Sequence, residues 1–170
     1  MYSLNVPLPE SVRDLADDLR PSLSGFESVR ESRDRTLLLK RLPATDRREL
    51  LDVEAVARDA LADADPVEAR IDGLDAFWDP PFGRGPVVYL AVESPGLQDL
   101  HRRLVDALGA EPDVEGDDYI PHVTLARGGD PSAVRGLLGR EVASPCFTVD
   151  TLSVYDTDAH ERLGSLSLRG

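Results

Sequence analysis

The sequence predicts an α+β fold of two pseudo-twofold-related lobes. Each lobe is a mainly antiparallel sheet with helices packed outside, and a central cleft lies between the sheets. Three observations point there. The 170-residue chain reads as two copies of one strand–helix–strand–helix–strand unit. Each copy carries a Thr-Leu pair on a short strand, and Leu4 to Thr36 spans 32 residues where Leu90 to Thr124 spans 34. Between the copies lies Asp79-Pro80-Pro81-Phe82-Gly83-Arg84-Gly85, a run of turn formers that reads as a surface loop. The expected organisation is one domain, with lobe one at about residues 1–79, a linker at 80–85 and lobe two at about 86–168.

Copy one opens with a strand, Tyr2 to Val6, followed by Pro9 and a helix whose apolar positions Val12, Leu15, Ala16 and Leu19 recur at helical spacing. Its second helix runs roughly from Asp46 to Ala62, with Leu50, Val53, Ala57 and Leu61 inward. It closes on a strand, Ile71 to Asp79. Copy two opens with Pro86 to Val92, apolar on both faces and therefore a central strand. The next helix places Leu97, Leu100, Leu104 and Leu108 on one side and ends at Gly109. A short helix follows from Pro131 to about Leu138, with Asp130 as its N-cap. The strand Val149 to Asp156 matches the end of copy one, and a last strand, about Arg162 to Leu168, returns by a hairpin near Asp158.

Composition narrows the function classes. The net charge is −13, and Lys40 is the only lysine among 19 basic residues. An acidic chain almost free of lysine suits a salt-loving cytoplasm, with an ordinary acidic surface as the alternative. Such a surface repels RNA in dilute buffer, whereas at molar salt the Debye length falls to ~3 Å and only local contacts matter. One basic island interrupts the acidity: Arg30, Arg33, Arg35, Lys40, Arg41, Arg47 and Arg48 stand against Glu31, Asp34 and Asp46. It is either a solvated charge run or an anion-binding surface. No apolar run reaches the ~20 residues of a membrane span, and no export signal is visible at the N-terminus. A cytoplasmic location is expected. The single Cys146 excludes an internal disulfide and reads as a small buried hydrophobe.

The chemistry sits in His122-Val123-Thr124-Leu125-Ala126-Arg127. On a strand of period two, His122 and Thr124 share a face, and an imidazole beside a hydroxyl suits proton transfer next to a bound phosphate. Copy one holds a weaker echo, Asp34-Arg35-Thr36-Leu37, with no histidine. These motifs and the duplicated unit resemble the 2H phosphoesterases, and within them the 2′-5′ RNA ligase-like group, over nearly the whole chain. That resemblance implies two His-x-Thr motifs lining one cleft, acting on 2′,3′-cyclic phosphates or 2′-5′ linkages at RNA ends. One histidine is then the general base and the other the general acid, the threonines bind phosphate oxygens, and no metal or cofactor takes part.

The resemblance carries over His122, Thr124 and Thr36 as catalytic residues. Asp34 holds the place of the first histidine, or Arg35 does if the register slips by one. An ionised aspartate is a poor acid, and an arginine cannot trade protons. Of the other histidines, His101 lies one turn from Leu97 and Leu104 and borders the core, and His160 falls in the hairpin before the last strand, usually a solvent position. Candidate substrate-binding residues are Lys40, which shares the parity of Asp34 and Thr36, and Arg127, which strict alternation puts opposite His122. Arg35, Asp34 and Tyr119 complete that set; Tyr119 either stacks on a base or packs. The expected partners are RNA ends or cyclic-phosphate nucleotides, with no membrane and no metal, and the expected state is a monomer. Two readings stay open: an RNA-end enzyme, or a phosphate-binding protein whose active site has been retired.

Overall fold

In a computed structural model, which describes residues 1–169, the chain forms nine strands and four α-helices. They are β1 (Tyr2–Val6), α1 (Glu10–Leu19), β2 (Ser28–Val29), β3 (Leu37–Leu42), α2 (Arg47–Ala60), β4 (Val67–Phe77), β5 (Val87–Glu93), α3 (Pro95–Leu108), β6 (His122–Arg127), α4 (Pro131–Leu138), β7 (Cys146–Val149), β8 (Thr151–Asp156) and β9 (Glu161–Ser167).

Helix ends follow their local chemistry. The Asp46 carboxylate accepts the backbone N–H groups of Arg48 and Glu49, and Asp130 accepts that of Ser132. Gly109 terminates α3 at φ 80°, a conformation a side chain disfavours, and its N–H bonds Val105 O at 2.7 Å. The apolar stripe of each helix then packs on the sheet. Leu37, Leu39, Leu90, Leu97, Leu104, Val123 and Leu125 are all fully buried. Truncating one of these leucines to alanine costs ~2–5 kcal/mol through lost transfer energy and the cavity left behind.

All strand pairing is antiparallel, and the main path runs β7-β4-β5-β6-β3-β1-β8-β9, with β2 added beside β6. The two lobes are therefore halves of one curled sheet. Among the described residues the main path passes from one half to the other through a single pair, Leu37 of β3 with Val123 of β6, flanked by β2 on the same strand. Each half mixes both ends of the chain: β4 crosses to pair with β5, and β8 and β9 cross to β1. A boundary at residues 80–85 thus divides the sequence but not the sheet. Two strands also depart from the expected limits. β4 begins at Val67, and the stretch before Val149 pairs with it as the separate strand β7. Cys146 opens that edge strand and is exposed rather than buried.

Candidate active site

The single pair Leu37–Val123 fixes the site. Counting outward in the antiparallel sense puts Thr36 across from Thr124, and one further pleat puts Leu38 across from His122. Leu37, Leu39, Val123 and Leu125 point to the core, so their neighbours Thr36, Leu38, His122 and Thr124 point into the cleft. Thr36 and Thr124 line one pocket together with Arg30, Asp34, Tyr155, Thr157 and His160. His122 lines the adjoining pocket, among Arg41, Phe77, Phe82, Ile120 and Arg127. Asp34 shares its pocket with the two threonines, and His122 stands two positions before Thr124 on the same face of β6.

His122 is locked in position. Its Nδ1 lies 2.7 Å from Ile120 O. A carbonyl only accepts, so Nδ1 carries the hydrogen and Nε2 keeps its lone pair. The ring meets Phe77 edge-on, with centroids 5.0 Å apart, and Tyr89 at 5.1 Å. Burial holds the imidazole below its usual pKa. The Ile120 carbonyl opposes that shift, and the charges of Arg127 and Arg41 add to it. At neutral pH the group is an unprotonated base with one nitrogen free.

Two β-bulges redistribute the cations. On β6, Ala126 pairs with Val88 and Thr124 with Tyr89, so Leu125 is an extra residue. The following side chain turns over, and Arg127 lines the same pocket as His122, where strict alternation had put it on the far face. On β3, Lys40 pairs with Leu4 and Leu38 with Asn5, so Leu39 is extra. This takes Lys40 out of the parity of Thr36 and hands the cleft position to Arg41. Lys40 is buried instead. Its Nζ donates to Glu115 Oε2 at 2.6 Å and to Arg41 O at 2.7 Å.

Other residues singled out in the sequence also leave the cleft. The Arg35 side chain is fully buried and reaches Asp17 of α1 at 2.5 Å, because its position alternates away from Thr36. Tyr119 packs: its hydroxyl donates to Leu38 O at 2.9 Å, and its ring stacks on His101 at 3.9 Å. His101 is fully buried, with Nδ1 against Leu39 O and Nε2 accepting Gly116 N–H. Asp34 remains at the cleft, between Arg33 at 3.8 Å and His160 Nδ1 at 3.3 Å.

The basic island is thus largely neutralised within the protein. Arg33, Arg35, Lys40, Arg41 and Arg47 all face carboxylates. Arg30 and Arg127 make no ion pair among the described residues, and both line the cleft. Arg30 was visible in the sequence only as one of seven island charges. The aromatic wall of Phe77, Tyr89 and Phe82 had no sequence signal, because it is assembled from β4, β5 and the 80–85 loop. Among the described residues no three His, Cys, Asp or Glu side chains cluster as a metal site, and no helix is long and apolar enough to cross a membrane.

The fold is one curled antiparallel sheet whose two Thr-Leu strands pair beside a cleft that His122 lines. Residues 36–161 match the model of the 2′-5′ RNA ligase superfamily, and the chain belongs to that family. Among solved structures, TT0787 of Thermus thermophilus is 22% identical, with a TM-score of 0.69, covering 99% of this chain and 98% of that one. Escherichia coli LigT complexed with 3′-AMP is 14% identical at a TM-score of 0.70, covering 99% and 98%. LigT complexed with phosphate is 15% identical at 0.71, covering 99% and 97%. No curated protein is significantly similar in sequence.

Proposed function

We propose that the chain is a metal-independent phosphodiesterase of RNA ends that opens terminal 2′,3′-cyclic phosphates, with His122 as general base. The observation that carries this is the His122 ring itself. With Nδ1 donating to Ile120 O, Nε2 is the free basic nitrogen, and it lies next to a threonine pair and two unpaired arginines. In the reaction a water gives its proton to Nε2 as its oxygen bonds to phosphorus. The bond from phosphorus to one ribose oxygen breaks, and that oxygen takes up a proton. Thr36 and Thr124 hydroxyls hold the non-bridging oxygens, and Arg30 and Arg127 balance their charge. The LigT complexes with phosphate and 3′-AMP support a phosphate-bearing ligand of this kind. With a 5′-hydroxyl in place of water as the nucleophile, the same groups would open the cyclic phosphate to a 2′-5′ linkage, the 3′-oxygen leaving with a proton.

The test is hydrolysis of a short RNA ending in a 2′,3′-cyclic phosphate, at roughly 2 M KCl, where long-range repulsion from the acidic surface is screened. Loss of the base in His122→Ala lowers kcat/KM by about 10²–10⁴. One observation favours a second reading: Asp34 stands where the resemblance places a histidine. No turnover, with binding of a phosphate-terminated RNA retained, makes the chain a phosphate-end binding protein.

A further inference from the structure

A base alone does not complete the proposed reaction, because a ribose oxygen leaves poorly unless it is protonated as the bond breaks. The group that donates this proton must lie across the threonines from His122, and at that end the side chain in the first-motif position is Asp34. Asp34 is not alone there. The turn between β8 and β9 brings His160, 126 positions further along the chain, against it, with His160 Nδ1 3.3 Å from Asp34 Oδ1. Both residues line the same pocket as Thr36 and Thr124, a space of about 200 Å³. His160 holds the left-handed conformation, φ 53°, uncommon outside glycine but one that histidine, asparagine and aspartate adopt more readily than other side chains. The turn around it is organised by Asp156, whose Oδ1 accepts the backbone N–H groups of Asp158 and Ala159 at 3.1 Å.

We infer that His160, oriented by Asp34, is the general acid of this site: the catalytic histidine has moved from β3 to the β8–β9 turn, and Asp34 has become its positioning residue. The inference rests on the phosphodiesterase reading above. The carboxylate takes the hydrogen at Nδ1 and leaves Nε2 as the nitrogen free to face substrate. As water attacks and His122 Nε2 takes its proton, His160 Nε2–H passes a proton to the departing ribose oxygen. The product carries the terminal phosphate and a free hydroxyl. His160 ends neutral and His122 cationic, and exchange with solvent resets both. The other charged or titratable groups at this end are Arg30 and Tyr155 in the pocket and Arg33 behind Asp34. Substrate would cover a ring that is 61% exposed in the open cleft.

The experiment measures kcat/KM against pH on the cyclic-phosphate RNA for wild type, His122→Ala, His160→Asn, Asp34→Asn and the double variant Asp34→His/His160→Asn. Asparagine tolerates the left-handed position, so the turn is preserved. His160→Asn is expected to lose about 10²–10⁴ in kcat/KM and to flatten the alkaline limb of the profile. Asp34→Asn, which keeps the ring and an acceptor oxygen but removes the negative charge beside it, loses less and keeps that limb. The double variant puts an imidazole back on β3 and regains activity over His160→Asn. Wild-type turnover that vanishes in His122→Ala but survives within twofold in His160→Asn overturns this inference and leaves the phosphodiesterase reading standing. Absence of wild-type turnover overturns both.

Discussion

Replacing Lys40 by methionine removes one half of a buried ion pair and tests whether the only lysine belongs to the core or to the cleft. The Lys40 and Glu115 side chains are 3% and 2% exposed, so solvent does little to screen their interaction. Glu115 also accepts the backbone N–H groups of Arg41 at 2.7 Å and Glu111 at 2.9 Å. Burial pushes the Glu115 pKa up, but the hydrogen bond from Lys40, those two amides and the lysine charge outweigh it, and the carboxyl lies below its usual range. Methionine keeps the volume and leaves the carboxylate buried with two donors and no countercharge. Breaking such a pair costs about 3–5 kcal/mol. For a chain of this length that is a fall in Tm of roughly 6–20 °C. The sign with pH follows. In wild type the low Glu115 pKa contributes stability above the unfolded value of ~4.3, and that stability is lost as pH falls through the lower folded value. In Lys40→Met the stranded carboxylate is relieved by protonation, so the gap between the two proteins narrows toward acid. The double variant Lys40→Met/Glu115→Gln regains at least half of the loss. The assay is thermal unfolding by circular dichroism at about pH 7.5 and 3.5, wide enough to straddle ordinary carboxylate titration. A Tm within about 2 °C of wild type, where one kcal/mol is worth about that much, with a raised KM for RNA ends, would refute the reasoning and return Lys40 to the cleft.

Further outcomes can be checked on the same protein. Burial holds His101 below the usual imidazole pKa against the pull of the Leu39 carbonyl and Glu115. Its contribution is therefore complete above the unfolded value of ~6.5 and is lost as pH falls from there toward the lower folded value. Urea unfolding should show wild type losing more stability than His101→Gln between about pH 7.5 and 5.5. Because the His122 pKa is also lowered, the acid limb of kcat/KM should lie below the ordinary imidazole range and disappear in His122→Ala. Arg30→Gln removes an unpaired cation from the threonine pocket. It should raise the Kd for a phosphate-terminated RNA about 10–100-fold by calorimetry, the equivalent of one charge-assisted hydrogen bond. With a net charge of −13, Tm should rise from dilute buffer to about 2 M KCl, because screening relieves self-repulsion of the compact state.

Much of the fold was legible because its signals are local. Asp46, Asp130, Gly109 and the i, i+3, i+4 stripes mark the helices one by one, and the apolar run from Val87 marks a central strand. The exchange of β4 and β8 between the half-sheets was not legible. Nothing in a strand's own residues names its partner, and both strands are amphipathic enough to pair with either half. The proximity of Asp34 and His160 is of the same kind, since a contact across 126 positions depends on how β8 and β9 dock beside β1.

The two misplaced cations have one cause. Strict alternation counted Lys40 into the cleft and Arg127 out of it, and each is reversed by a single extra residue, Leu39 on β3 and Leu125 on β6. Both extra residues are leucines that stay fully buried, so the apolar pattern of each strand hides the bulge: a core leucine reads the same whether or not the ladder skips it. The consequence is chemical. Without the bulges the cleft would hold a lysine, the base and the threonines. With them it holds two arginines, Arg41 and Arg127, beside His122. A guanidinium never gives up its proton at working pH, whereas a desolvated lysine does. Two fixed positive charges beside a histidine held unprotonated keep the anion-binding and proton-accepting roles on separate groups. Restoring regular pairing by inserting one alanine between Val88 and Tyr89, which gives Leu125 a partner on β5, should therefore abolish turnover even though His122 and Thr124 remain, because strict alternation would then turn Arg127 away from the phosphate. Activity retained by that insertion, in a protein whose circular dichroism matches wild type, would show that the bulge does not aim the arginine.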